Sequence, residues 1–101
     1  MYVLEAANGP LDGKRWPFEA SVEIGRDAAL VVAALPLDAA VSRRHARVEI
    51  ARDRVVLHDL QSSNGTIVRG DAITGQCELA LGELFTVGRT QLRVLDDGRS
   101  G

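Results

Sequence analysis

Arg47-Val48-Glu49-Ile50 alternates charged and aliphatic side chains, and Gln91-Leu92-Arg93-Val94 repeats the pattern late in the chain. A period of two places the aliphatic residues on one face of an extended strand and the charged ones on the other. Short runs of similar character lie at Tyr2 to Glu5, Ser21 to Ile24, Arg54 to Leu57, Thr66 to Val68, Glu78 to Leu81 and Leu84 to Val87. Between them stand turn formers: Asn8-Gly9-Pro10, Asp12-Gly13, Asn64-Gly65, Gly70-Asp71, Gly75 and Gly82. Many short strands, each bounded by Gly, Asn or Asp, predict an all-β fold, a two-sheet antiparallel β-sandwich with its loops gathered at the two ends. Ala28 to Ala40 departs from the pattern, being rich in Ala but interrupted by Pro36. We expect a short strand near Leu30 to Val32 and an irregular loop from Ala33 to Val41.

The chain has 101 residues, 46% of them hydrophobic, which suits one compact domain with an ordinary core. We place that domain at residues 1–96 and a loose, polar tail at 97–101. Twelve Lys and Arg against fourteen Asp and Glu leave a net charge of −2, so no chain-wide positive field gathers nucleic acid or anionic lipid. An anionic partner would have to be held locally. A single cysteine, Cys77, closes no disulfide within the chain and supplies too few thiols for a zinc finger, which favours a reducing, cytoplasmic setting. Met1 to Ala7 lacks the basic start and apolar run of an export signal, and no stretch reaches the roughly 18 apolar residues of a membrane span.

Three polar clusters interrupt the alternation: Gly25-Arg26, Ser42-Arg43-Arg44-His45 and Ser62-Ser63-Asn64-Gly65-Thr66. Each adjoins a predicted strand, so a sandwich can bring them to one end. Guanidinium groups, hydroxyls and an amide are the donors that a phosphate group accepts, with no metal required. Each cluster also has a plainer reading. Arg26 suits a solvated surface, Ser42 a turn, and Asn64-Gly65 an unliganded hairpin corner.

Taken together, Ile24-Gly25-Arg26, Val41-Ser42-Arg43-Arg44-His45-Ala46 and Asp59-Leu60-Gln61-Ser62-Ser63-Asn64-Gly65-Thr66 closely resemble, in order and spacing, the signature of the forkhead-associated (FHA) domain. Leu81 to Gly88 resembles that family's final hairpin, and the likeness runs from about Val3 to Leu95. The resemblance implies a β-sandwich whose loops at one end bind phosphothreonine peptides. By the same resemblance, Arg26 would grip the phosphate, Ser42 and Ser63 would hydrogen-bond it, Arg43 would add a contact, and Asn64 would hold the peptide main chain. Gly25, His45 and Gly65 would shape the loops. No cofactor is implied, and the partner would be a protein phosphorylated by a Ser/Thr kinase. The family often carries Asn-Gly where this chain has Arg69-Gly70, which bears on peptide selectivity.

Other readings compete. An FHA-like scaffold could assemble with partners without phosphate. Ser42 or Ser63 with His45 or His58 and Asp59 could form a nucleophilic triad, although no Gly-x-Ser-x-Gly elbow is present. Arg43, Arg44, Arg47, Arg52 and Arg54 could meet nucleic acid, but alternation scatters them and no aromatic platform accompanies them. We therefore expect a binding module, not an enzyme, with neither nucleic acid nor membrane as its partner.

Overall fold

A computed structural model describes residues 1–98. Strands β1 (Tyr2–Ala6), β2 (Arg15–Phe18), β7 (Thr66–Val68), β8 (Asp71–Ala72), β10 (Phe85–Val87) and β11 (Thr90–Asp96) form one sheet in the order β2-β1-β11-β10-β7-β8. The other sheet orders β4 (Ala33–Ala34), β3 (Ser21–Gly25), β5 (Ala46–Ala51), β6 (Arg54–Asp59) and β9 (Gln76–Leu79) as β4-β3-β5-β6-β9. The expected two-sheet sandwich is thus the fold, with one exception to its antiparallel pairing: β4 runs parallel to β3, with Ile24 opposite Ala33.

Alternation along the strands builds the core. Ala46 and Val48 of β5, Val55 and Leu57 of β6, and Leu92 and Val94 of β11 point inward, joined by Leu4, Ile24, Phe85 and Val87. Burying such side chains contributes roughly 1.5–3 kcal/mol each. Strand β1, between β2 and β11, is covered on both faces, with Val3, Leu4, Glu5 and Ala6 all buried. On its outer face the Glu5 carboxylate accepts from Arg93 Nε and Arg15 Nε, both at 2.7 Å, from the register partners on either side. Those hydrogen bonds, Arg93 first and then Arg15, hold its carboxyl below the usual carboxylate range.

Several boundaries differ from the sequence expectation. Residues Leu30 to Val32 form no strand, because Asp27 O accepts from Leu30 N and Val31 N while Asp27 Oδ1 accepts from Ala29 N, which turns the chain there. The strand follows at Ala33–Ala34, inside the segment expected as loop. The run expected at Glu78 to Leu81 lies at Gln76–Leu79, since Ala80 N donates to Glu83 Oε1 and closes a turn. Strand β2 was not expected, because Pro17 interrupts its apolar pattern. At the sheet edge a proline removes no ladder bond, and Trp16 and Phe18 still reach the core. Gly70-Asp71 reads as a turn in sequence, yet Asp71 begins β8, with Arg69 and Gly70 both at positive φ in the corner before it. A two-residue corner with both residues at positive φ suits the twist of the flanking strands. The tail expected at 97–101 falls, for residues 99–101, outside the described residues.

The loops after β3, β4, β6 and β10 open at the same end of the sandwich, where the Ser42, Asn64 and Arg89 segments are linked by the hydrogen bonds described next.

Candidate functional site

Arg26 is the first residue beyond β3 and is exposed. Its backbone N donates to Ser42 O at 3.0 Å, and its Nε donates to Val41 O at 3.0 Å. The guanidinium is thereby aimed, while its two terminal nitrogens meet no protein partner among the described residues. Gly25, just before it, has no room for a side chain. A Cβ there would lie 2.0 Å from Arg43 O, so glycine is what lets the Ser42-Arg43 segment pack against β3.

Ser42 Oγ accepts from Ser63 N at 3.0 Å, which joins the loop after β4 to the loop after β6. Its O–H remains free to donate, and Ser63 Oγ has no protein partner among the described residues. Arg43 is exposed and likewise unpaired. By contrast Arg15 and Arg93 pair with Glu5, Arg44 with Glu23, Arg54 with Glu78 and Arg69 with Glu83. Arg26 and Arg43 are thus cations left available at this end. Asn64 Nδ2 donates to Ala40 O at 2.8 Å, so part of the amide expected to hold a peptide instead ties the two loops together. Its Oδ1 and remaining N–H stay open.

His45 lies beneath these groups, fully buried. Ser42 N donates to its Nδ1 at 3.0 Å, so Nδ1 carries the lone pair, and Nε2 at 2.9 Å from Gly65 O must carry the proton. This neutral ring bridges the two loops. Both nitrogens are spent, and Ser42 presents its backbone N, not its hydroxyl, to the ring, so the imagined Ser42-His45 nucleophile and base are not assembled. The other histidine, His58, faces Glu49 at 3.0 Å across the outer sheet surface. Gly65 adopts φ +81°, a conformation that glycine takes at little cost.

Two carboxylates that sequence reasoning missed as site builders complete the frame. Asp59, at the end of β6, accepts from Ser62 Oγ at 2.6 Å, Thr66 Oγ1 at 2.8 Å and Ser62 N at 3.2 Å, closing the loop that carries Ser63 and Asn64. Asp38 accepts from Arg89 N and Thr90 Oγ1, both at 2.8 Å, and from Ala40 N at 3.1 Å, fastening the segment before Ser42 to the β10–β11 turn. Burial pushes both carboxyls up. For Asp59 the hydrogen bonds from Ser62 and Thr66 outweigh it, and for Asp38 those from Thr90, Arg89 and Ala40 do so, leaving both below the ordinary value. An Asp beside Ser and Thr is the sequence signal for the first. The second spans half the chain and leaves none.

A depressed folded pKa means that each carboxylate contributes stability that is fully present above its unfolded pKa of about 4 and is lost as pH falls through the folded value. The thermal midpoint is therefore expected to hold from neutral pH to about pH 5 and to drop below about pH 4. Asp59→Asn is expected to lower the midpoint at neutral pH and to shrink the acid drop. Calorimetry across pH checks this, and an acid drop equal to that of the parent chain would count against Asp59 as a contributor.

The fold and loops define a two-sheet β-sandwich that displays arginine, serine and asparagine side chains from separate loops at one end. Residues 22–88 match the family model of the FHA domain, and the chain belongs to that family. Among solved structures it is similar to the FHA domain of the CT664 protein of Chlamydia trachomatis, at 28% identity and TM-score 0.85 over 94% of this chain and 96% of that one. An FHA domain from a structural and functional analysis of phosphothreonine-dependent FHA domain interactions shares 30% identity, with TM-score 0.79 over 97% and 98% of the two chains. EmbR of Mycobacterium tuberculosis, solved with a low-affinity phosphopeptide, shares 26% identity with TM-score 0.81 over 99% of this chain, which spans 26% of EmbR. No curated protein matches the chain.

Proposed function

We propose that residues 1–96 form a phosphothreonine-reading signalling module. It binds a segment of a partner protein that a Ser/Thr kinase has phosphorylated, and it works in the cytoplasm. Arg26 and Arg43 supply charge to the phosphate, the Ser42 and Ser63 hydroxyls supply neutral hydrogen bonds, and the free part of the Asn64 amide meets the peptide main chain. The observation that carries this reading is the bond from Ser63 N to Ser42 Oγ, beside an Arg26 already anchored on Val41 O. The first bond ties the backbone that carries the Ser63 hydroxyl to the Ser42 hydroxyl, and the second ties the Arg26 guanidinium to the residue before Ser42, both before any ligand arrives. Preorganisation of this kind lowers the ordering cost of binding. Relatives solved with, or studied for, phosphorylated ligands support the same reading.

Calorimetric titration with a phosphothreonine peptide and its unphosphorylated twin tests it. Binding is expected only for the phosphorylated form. It is also expected to weaken as pH falls below roughly 6, where the phosphate dianion becomes a monoanion and loses Coulomb attraction. A partner that binds equally well after phosphatase treatment would establish a phosphate-independent scaffold instead.

A further inference from the structure

The chain's two asparagines, Asn8 and Asn64, each precede a glycine. That pairing permits a reaction within the chain. The glycine N, with no side chain on its own Cα to obstruct it, can attack the preceding amide carbon Cγ. A bond forms from that N to Cγ, the bond from Cγ to Nδ2 breaks, and ammonia leaves with the proton given up by the glycine N. Water then opens the cyclic imide at one of its two carbonyl carbons. Opening at Cγ leaves aspartate. Opening at the main-chain carbon leaves isoaspartate, whose main chain runs through Cγ and is one methylene longer.

The fold treats the two sites differently. The asparagine amide must rotate onto the glycine N, so whatever holds it must first let go. Asn8 is half-buried and held at both amide atoms: Oδ1 accepts from Gln91 N at 2.7 Å, and Nδ2 donates to Arg89 O at 3.2 Å. The glycine after it opens the turn Gly9–Leu11, which Asp12 N closes on Gly9 O. Asn64 is exposed and held by a bond at Nδ2 alone, to Ala40 O at 2.8 Å. Gly65 N donates to no acceptor among the described residues. A Cβ on Gly65 would meet only Ala72 Cβ, at 3.5 Å, so an imide ring has room there.

Either product alters the loop that carries Ser63. Aspartate has no N–H to donate to Ala40 O, and it sets a carboxylate one residue from Ser63. Isoaspartate also inserts a methylene between residues 64 and 65, which displaces Gly65 O from its 2.9 Å contact with His45 Nε2.

We propose that Asn64-Gly65 is a self-modification site that turns the phosphate site off: the folded, empty domain converts Asn64 to isoaspartate and aspartate ahead of Asn8, and the new carboxylate repels a phosphate dianion. The effect on binding rests on the phosphothreonine reading, whereas the conversion does not. A bound peptide that engages the free part of the Asn64 amide holds that side chain still, so occupied domains persist while empty ones are retired.

The test incubates the chain in warm, mildly alkaline buffer, alone, with a saturating phosphothreonine peptide, and in urea. Peptide mapping by mass spectrometry follows each asparagine and its two products, and fresh and aged samples are titrated with the same peptide. In the folded chain Asn64 is expected to convert roughly five- to ten-fold faster than Asn8, which has one more hydrogen bond to break. In urea the two rates are expected to converge. Bound phosphopeptide is expected to slow Asn64 by a similar factor. The aged chain and Asn64→Asp are expected to bind phosphopeptide roughly ten-fold or more weakly. Asn64→Ala, which loses the amide without gaining charge, is expected to fall between these and the fresh parent chain. Equal conversion of the two asparagines in the folded chain, no conversion of Asn64, or an aged chain that binds as tightly as the fresh one overturns the switch. Conversion at the same rate with peptide bound overturns its dependence on occupancy. If the fresh chain binds the unphosphorylated twin as well as the phosphopeptide, the phosphothreonine reading falls and the switch with it, while the mass spectra still decide whether Asn64 converts.

Discussion

Arg26→Ala is expected to abolish measurable phosphopeptide binding while the sandwich remains folded. The side chain is exposed and lies outside the core, so its loss opens no cavity. What it removes is a guanidinium whose Nε is fixed on Val41 O and whose terminal nitrogens face solvent at the loop end. Hydrogen bonds to a charged group contribute about 1.5–3 kcal/mol each, so loss of the fork corresponds to a weakening of ten-fold to more than a hundred-fold. The protein cannot compensate through its overall field, because the net charge is −2 and Arg15, Arg44, Arg54, Arg69 and Arg93 pair with glutamates. On the folding side only the bond to Val41 O is lost, about 1 kcal/mol, or a drop of roughly 4–8 °C in the thermal midpoint. Arg26→Lys separates charge from geometry. The ammonium keeps the charge but loses both the anchor on Val41 and the planar fork, so partial binding is expected. Calorimetry of peptide binding and of unfolding on the same samples reads both effects. Unchanged affinity in Arg26→Ala would refute the assigned cradle.

The parts of this molecule that could be read from sequence are those written in local pattern. Period-two runs such as Arg47 to Ile50 are half-buried strands because their environment also alternates. Strand β2 escaped because its proline breaks the pattern, and only its place at the sheet edge makes that proline harmless. The strand misplaced at Leu30 to Val32 shows the reverse: β-compatible residues were diverted by one Asp27 carboxylate and its backbone oxygen. At the candidate site, the polar clusters and their spacing marked the residues that the fold gathers. The bonds that hold the clusters in place were not legible. Asp38 with Thr90 spans 52 positions, and nothing local distinguishes it from a surface aspartate. Gly88 is similar. A Cβ there would lie 2.6 Å from Val41 Cγ2 and 2.9 Å from the Asp38 carboxylate, a close approach that only the assembled fold creates.

His45 carries the second large effect, because it turns two loops into one surface. Its ring accepts from Ser42 N and donates to Gly65 O, while its own backbone accepts from Leu60 N and donates to Ile24 O. Removing the ring in His45→Ala leaves a backbone N–H and a backbone C=O without partners and opens a void beneath the loops. Each unsatisfied buried group costs about 1–3 kcal/mol, and the cavity adds to that, so a loss on the order of 3–5 kcal/mol is expected. Against a total stability of about 5–15 kcal/mol this is a large fraction, lowering the midpoint by roughly 15–30 °C. Binding is expected to fail even in the fraction that stays folded. Ser42 and Ser63 would no longer be held together before the ligand arrives, and ordering each loop residue again costs about 1–2 kcal/mol. His45→Phe isolates the cause. The aromatic ring keeps most of the packing but can neither accept from Ser42 N nor donate to Gly65 O, so midpoint and phosphopeptide affinity should both fall, though the midpoint by less than in His45→Ala. If His45→Phe were as stable as the parent chain and bound phosphopeptide equally well, the ring would be filling space, and the link between the Ser42 and Gly65 loops would have to come from the Ser63–Ser42 and Asn64–Ala40 bonds alone.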